Sequence, residues 1–160
     1  MKKTRSLTQS ALIAALYVVL TYLSNILGIA SGVIQVRISE ALTVLPAFTF
    51  SAVPGLFAGC LAANLLTGAA IWDVVFGSVA TLLGAWGTYY LGKKKYLAPV
   101  FPIVANTAII PFVLKMVYGV AEGYEFLFAT IFAGEFISCG VLGVFLYSAV
   151  QKTNIFDRYN

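Results

Sequence analysis

Glycines, prolines and charges break the chain into six apolar segments, at roughly 9–29, 38–50, 53–70, 72–91, 97–118 and 126–150. The runs are too long and too uniformly apolar for strands, so each predicts a helix. The second is the exception in length: about 13 residues in α form reach only ~20 Å, and it contains Pro46, with Pro54 close behind. The pattern predicts an all-α membrane bundle of six transmembrane helices with a short second helix, residues 1–160 making one membrane domain.

Composition narrows the class further. Hydrophobic residues make up 61% of the chain and charged residues 10%, against about 25% charged in soluble domains, and mean hydropathy is +0.94. The net charge of +4 sits in short clusters beside the apolar runs, with no basic stripe interleaved with aromatics, so no nucleic-acid partner is expected. Lys2, Lys3 and Arg5 ahead of an apolar run resemble a signal peptide, but the run outlasts the ~7–15 residues of a signal core. It reads instead as a first spanning helix with a positive anchor.

Charge parity then orients the chain. With six crossings, Lys2, Lys3, Arg5, Lys93, Lys94, Lys95, Lys152 and Arg158 fall on one side, eight of the 10 basic residues. The positive-inside rule makes that side the cytoplasm, so both termini are cytoplasmic and the protein is a multi-pass cell-membrane protein. Merging segments two and three would throw the triple lysine outside. Among the acidic residues, Glu40, Asp73, Glu122, Glu125 and Glu135 fall toward the outside, and Asp157 alone toward the cytoplasm.

Small residues mark the packing faces. Gly55, Gly59 and Ala63, four apart, leave one face of the third segment nearly bare, which permits close helix contact. Asp73, Gly77, Thr81 and Gly84 make a similar stripe on the fourth. Ala11 and Ala15, with Ala14 and Val18, make one on the first, either for internal packing or for docking another membrane subunit. Cys60 and Cys139 lie inside apolar segments and read as packing residues.

The candidate chemistry is a set of charges where charge is expensive. Arg37, Glu40, Asp73, Lys115 and Glu135 lie within or beside apolar stretches, where each costs roughly 3 kcal/mol near the bilayer centre unless it meets a cavity, partner or ligand. Asn64, Thr67 and Trp72 belong to the same outer half. There is no GxxxxGK[ST] phosphate loop and no histidine, which removes that route to nucleotide hydrolysis and every histidine-based catalytic set. No enzyme activity, cofactor or metal is expected; a metal site would have to be built from carboxylates. A compact membrane protein with an outward polar pocket and no engine of its own should bind a small molecule and draw its energy from a partner or a gradient.

Several blocks carry a family resemblance. Val36-Arg37-Ile38-Ser39-Glu40-Ala41-Leu42-Thr43-Val44-Leu45-Pro46, Pro54-Gly55-Leu56, Gly59 to Leu65, Trp72-Asp73-Val74-Val75-Phe76-Gly77-Ser78, Ala105-Asn106, Pro111 and Gly134-Glu135-Phe136 resemble the queuosine-precursor transporter (QueT) family over most of the chain. The resemblance implies the substrate-binding S component of an energy-coupling factor (ECF) transporter. Such a subunit captures a micronutrient outside and docks on a transmembrane coupling subunit that two ATPase subunits drive. Members often carry an Ala-x-x-x-Ala docking motif in helix one, which Ala11 and Ala15 match. The cargo it implies is a 7-deazaguanine-type queuosine precursor.

That cargo presents N1–H and a 2-amino group beside a carbonyl oxygen, and a carboxylate accepts both donors together. Glu135 is the first candidate for this edge and Glu40 the second. Asp73 would neutralise an aminomethyl cation, Arg37 or Asn64 would donate to the carbonyl, and Trp72 would stack on the base. Asn106 and Lys115 complete the candidate set, although helical phase puts them nearly opposite one another. Each has a plainer reading: an Arg37–Glu40 ion pair, an interhelical Asn64 link, an interfacial Trp72, a snorkelling Lys115. The Ile29–Val36 connection, with Gly28 at its start and Ser31 and Gly32 within it, is expected to open and close over the pocket. Another aromatic micronutrient such as thiamine, a self-sufficient proton-coupled carrier using Asp73 and Glu135, and a non-transport membrane protein are the competing readings.

Overall fold

The computed structural model describes residues 2–30 and 34–153. Ser31 and Gly32 of the expected gate, and Asp157 and Arg158 of the C-terminal charge, lie outside the described residues. The described chain is helical: α1 (Lys2–Ile26), a 3-10 helix (Ile38–Ala47), α2 (Ala52–Leu66), α3 (Ile71–Leu91), α4 (Val100–Met116), and a final long helix Tyr124–Thr153. This last comprises α5 (Tyr124–Glu135), a π-helical stretch (Phe136–Leu142) and α6 (Gly143–Thr153). Each of the six predicted segments coincides with one of these helices. The first, α3 and the last are long and apolar enough to cross a membrane, while the 3-10 helix, α2 and α4 are shorter apolar helices.

The second segment differs from expectation in type. Pro46, inside it, has no amide to donate and disfavours a regular α-helix. In 3-10 form the ten residues reach about 20 Å, as far as thirteen would in α form. This helix touches α1, α2, α3, α6 and the π stretch, and Ser39 through Pro46 are buried. It is the post on which α1, α2, α3 and the second half of the last helix pack.

The small-residue stripes are seams between helices. A Cβ on Gly55 would lie 2.7 Å from the Ser10 carbonyl oxygen, and one on Gly59 would lie 2.8 Å from Tyr17 Cβ and 3.0 Å from Ala14 Cα. Glycine at both positions lets α1 and α2 meet backbone to backbone. Gly84 plays the same part against Pro102 on α4, at 2.6 Å from Cα to an added Cβ. Ala14 therefore packs inward on α2, while Ala11 and Ala15 stay exposed. Ile13, Tyr17, Thr21 and Ser24 form the buried stripe of α1, and Gly28 closes the helix with φ 71°, a value glycine adopts without penalty.

The two ends of the bundle differ. At one end Ser6 and Ser51 hydrogen-bond at 2.8 Å, Phe50 packs edge-on to Tyr89, and the Tyr147 hydroxyl donates to the Lys93 carbonyl. The start of α1, the α3–α4 connection with its three lysines and the end of α6 are thus gathered at that end. Hydrogen bonds of Tyr22 to the Leu66 carbonyl and of Asn64 to the Asp73 carbonyl tie the other end. Around the girth, large apolar side chains such as Leu12, Val19, Val104, Phe112 and Phe145 are exposed, far beyond what a soluble surface carries and suited to lipid.

Candidate functional site

At the end away from the triple lysine is a cavity of about 400 Å³, to which Arg37, Glu40, Asp73, Asn106 and Glu135 all contribute. Five elements deliver them. Arg37 ends the connection from α1, and Glu40 sits in the first turn of the 3-10 helix. Asp73 lies in the first turn of α3, where a carboxylate also complements the helix dipole. Asn106 stands on α4 one turn before Pro111, which removes the amide that would have bonded the Thr107 carbonyl. Glu135 closes α5, where the helix widens into its π stretch. Such widenings recur at functional sites because they re-aim the side chains around them.

Glu40 is 3% exposed. The Tyr17 hydroxyl donates to its Oε1, whereas Oε2 is buried with no hydrogen-bond partner among the described residues. The Thr43 hydroxyl donates to its backbone carbonyl. Arg37 attracts the same carboxylate, and the side-chain hydrogen bond that fixes Oε1 comes from Tyr17. The Cys139 thiol donates to Glu135 Oε2 at 3.2 Å, and Asn106 lies beside both carboxyl groups. Glu40, Glu135 and Cys139 offer donor atoms within 4.8 Å of one another. They are the described residues best arranged to surround a cation, and the trio includes a thiol where only carboxylates were expected.

Ala30 and Gln35, on either side of residues 31–33, also line the cavity. The Val36 amide donates to the Ile29 carbonyl at 2.9 Å, tying the two ends of the connection together. The Arg37 amide donates to Ser138 Oγ at 3.1 Å and the Ile38 amide to Ser24 Oγ at 2.9 Å. A Cβ on Gly134 would collide with the Gln35 carbonyl oxygen, so glycine there lets the strap lie flat on α5. The Arg37 side chain also borders a second, more open cavity of about 540 Å³ with Thr21, Asn25, Asn64 and Thr67.

Of the candidates read from sequence, Glu135, Glu40, Asp73, Arg37 and Asn106 share the inner cavity. Asn64 borders the outer one, its amide donating toward Cys60 Sγ and the Asp73 carbonyl. Trp72 is 47% exposed and stacks on Phe76 outside either cavity. Lys115 donates to the Val120 and Glu122 carbonyls and so closes the α4–α5 turn. Tyr17, Ser138 and the two cysteines join the site beyond the candidates legible in the sequence. A phenol on the buried stripe of α1 was the available signal, since a buried tyrosine hydroxyl needs a partner.

A helical bundle with an apolar girth suits an integral membrane protein, and this one carries a charge-lined cavity at one end. The chain belongs to the QueT transporter family, whose model matches residues 7–152. It is also 26% identical to the queuosine precursor transporter QueT of Lactococcus lactis subsp. cremoris (strain MG1363), over 94% of each chain. No solved structure matches it significantly.

Proposed function

We propose that the chain is the substrate-binding S component of an ECF-type transporter, capturing a 7-deazaguanine-type queuosine precursor from outside for ATP-driven uptake by partner subunits. The observation that carries this reading is the inner cavity, with Glu40, Glu135 and Asn106 together on one wall and Arg37 and Asp73 completing it. About 400 Å³ suits a bicyclic base with a small substituent, within the ~300–1,000 Å³ of small-molecule pockets. The name of the Lactococcus relative supports the cargo. In this reading all six helices cross the membrane, both termini are cytoplasmic and the cavity faces outward. Glu135 accepts N1–H and one hydrogen of the 2-amino group, Glu40 assists, Arg37 donates to the carbonyl oxygen, and Asp73 faces a cationic substituent. The Ile29–Val36 connection opens for access and closes over the bound base.

The test is isothermal titration of the purified subunit with 7-aminomethyl-7-deazaguanine, 7-cyano-7-deazaguanine, queuine, guanine and thiamine. Saturable binding of one deazaguanine, without binding of thiamine, is the expected result. Folded protein that takes none of the deazaguanines would sink the cargo assignment.

Partner docking is assigned to the exposed Ala11 and Ala15 of α1, where bare helix lets another helix approach. Ala11→Trp and Ala15→Trp should leave precursor affinity within about twofold, because neither side chain reaches the cavity. The same substitutions should abolish copurification with the coupling and ATPase subunits. Loss of neither, or of both together, would count against a separate docking face.

A further inference from the structure

Glu40 presents its two carboxylate oxygens unequally. Oε1 takes the hydroxyl of Tyr17, a residue of α1 that is 1% exposed. Oε2 is equally buried, belongs to a cavity-lining residue, and makes no direct hydrogen bond among the described residues, with the Asn106 amide standing beside the same carboxyl group. A buried acceptor left unpaired is costly, and Glu40 lines the polar cavity, so a ligand that brings a donor within reach of that oxygen is favoured. Glu135 is the neighbour across the same wall, with donor atoms of the two residues within 4.8 Å. Its Oε2 already accepts the Cys139 thiol.

We propose that Tyr17 is a positioning residue: by holding Glu40 through Oε1 it reserves Oε2 for the second N–H of the ligand's exocyclic amino group. The proposal rests on the cargo reading above. There, N1–H and the nearer amino hydrogen face Glu135, which leaves the outer amino hydrogen without an acceptor unless Glu40 supplies one. Without the Tyr17 hydroxyl, Glu40 is free to turn, and its oxygens are no longer distinguished. Gly59 contributes indirectly, since a Cβ there would lie 2.8 Å from Tyr17 Cβ and would push the ring from its place. The predicted selectivity is for a 2-amino-bearing edge over the same base lacking that group.

The experiment compares 7-aminomethyl-7-deazaguanine with 7-aminomethyl-7-deazahypoxanthine, which lacks only the 2-amino group, by titration of full-length protein in detergent. Tyr17→Phe should lower the preference for the amino form at least tenfold while leaving the affinity for the deazahypoxanthine within about twofold. In a Glu40→Gln background the Tyr17→Phe change should have no further effect on that preference. A purely structural role for Tyr17 would weaken both ligands alike in either background, and that result overturns the proposal. So does an unchanged preference in Tyr17→Phe. Wild-type protein that binds neither base overturns the cargo reading itself, whereas binding without dependence on Tyr17 overturns only the present inference.

Discussion

Glu135→Gln should weaken binding of the precursor by about 100-fold, measured by titration of the purified subunit. The substitution conserves shape and keeps one oxygen for the Cys139 thiol, so the fold should survive. What it removes is the paired acceptor. A carboxylate offers two oxygens to two neighbouring N–H groups, and hydrogen bonds to a charged partner contribute about 1.5–3 kcal/mol each. Glutamine replaces one oxygen with an NH₂ group that faces the ligand donor with another donor. Losing one such bond corresponds to roughly 3 kcal/mol, or about a hundredfold in affinity. Asn106, beside both carboxyl groups, cannot replace the loss, because it turns its NH₂ donor toward them and a donor cannot receive the ligand's N–H groups. Unaltered affinity in a variant that melts like wild type would remove Glu135 from the edge-reading role.

The second large effect is expected at Gly134, which touches no ligand. A methyl there meets the carbonyl oxygen of Gln35, and a backbone atom cannot swing aside as a side-chain tip can. Gly134→Ala should therefore lift the strap from α5 and break the Arg37 amide bond to Ser138. Arg37 would then leave the cavity wall. Precursor affinity should fall more than tenfold, and amide hydrogen exchange at residues 34–38 should rise. Gly140→Ala is the matched control, since its Cβ would come no nearer than 3.4 Å to the Phe136 ring, an ordinary contact. Equal effects of the two substitutions would mean that the strap does not depend on the Gly134 contact.

Much of this architecture was legible in the order of residues. Six apolar runs bounded by glycine, proline and charge correspond to the six helices, and the glycine spacing of the third marks the seam with α1. Expensive charges pointed to Glu40, Glu135, Arg37 and Asp73, and these meet in one cavity. Helical phase also separated Lys115 from Asn106, in keeping with their positions at a turn and at the cavity wall. Trp72 was the weaker inference, because an aromatic at a helix start suits either stacking or an interface, and its neighbour here is Phe76. Periodicity could not show the 3-10 form of the second segment, whose burial depends on five neighbours at once. Nor could it show the π stretch, which itself packs on that post together with α6. Tyr17 and Glu40 are 23 positions apart, and their contact exists only because the 3-10 helix is threaded through the middle.

Helix α1 presents two unrelated surfaces on one rod. Ala11 and Ala15 face outward, while Tyr17, on the other side, grips the carboxylate of Glu40 inside. On the docking proposed for Ala11 and Ala15, substitutions in the inner stripe alter the pocket without touching the outer face, and substitutions on the outer face leave the pocket as it is. A designer grafting a foreign pocket onto this scaffold would begin by leaving the alanine face untouched.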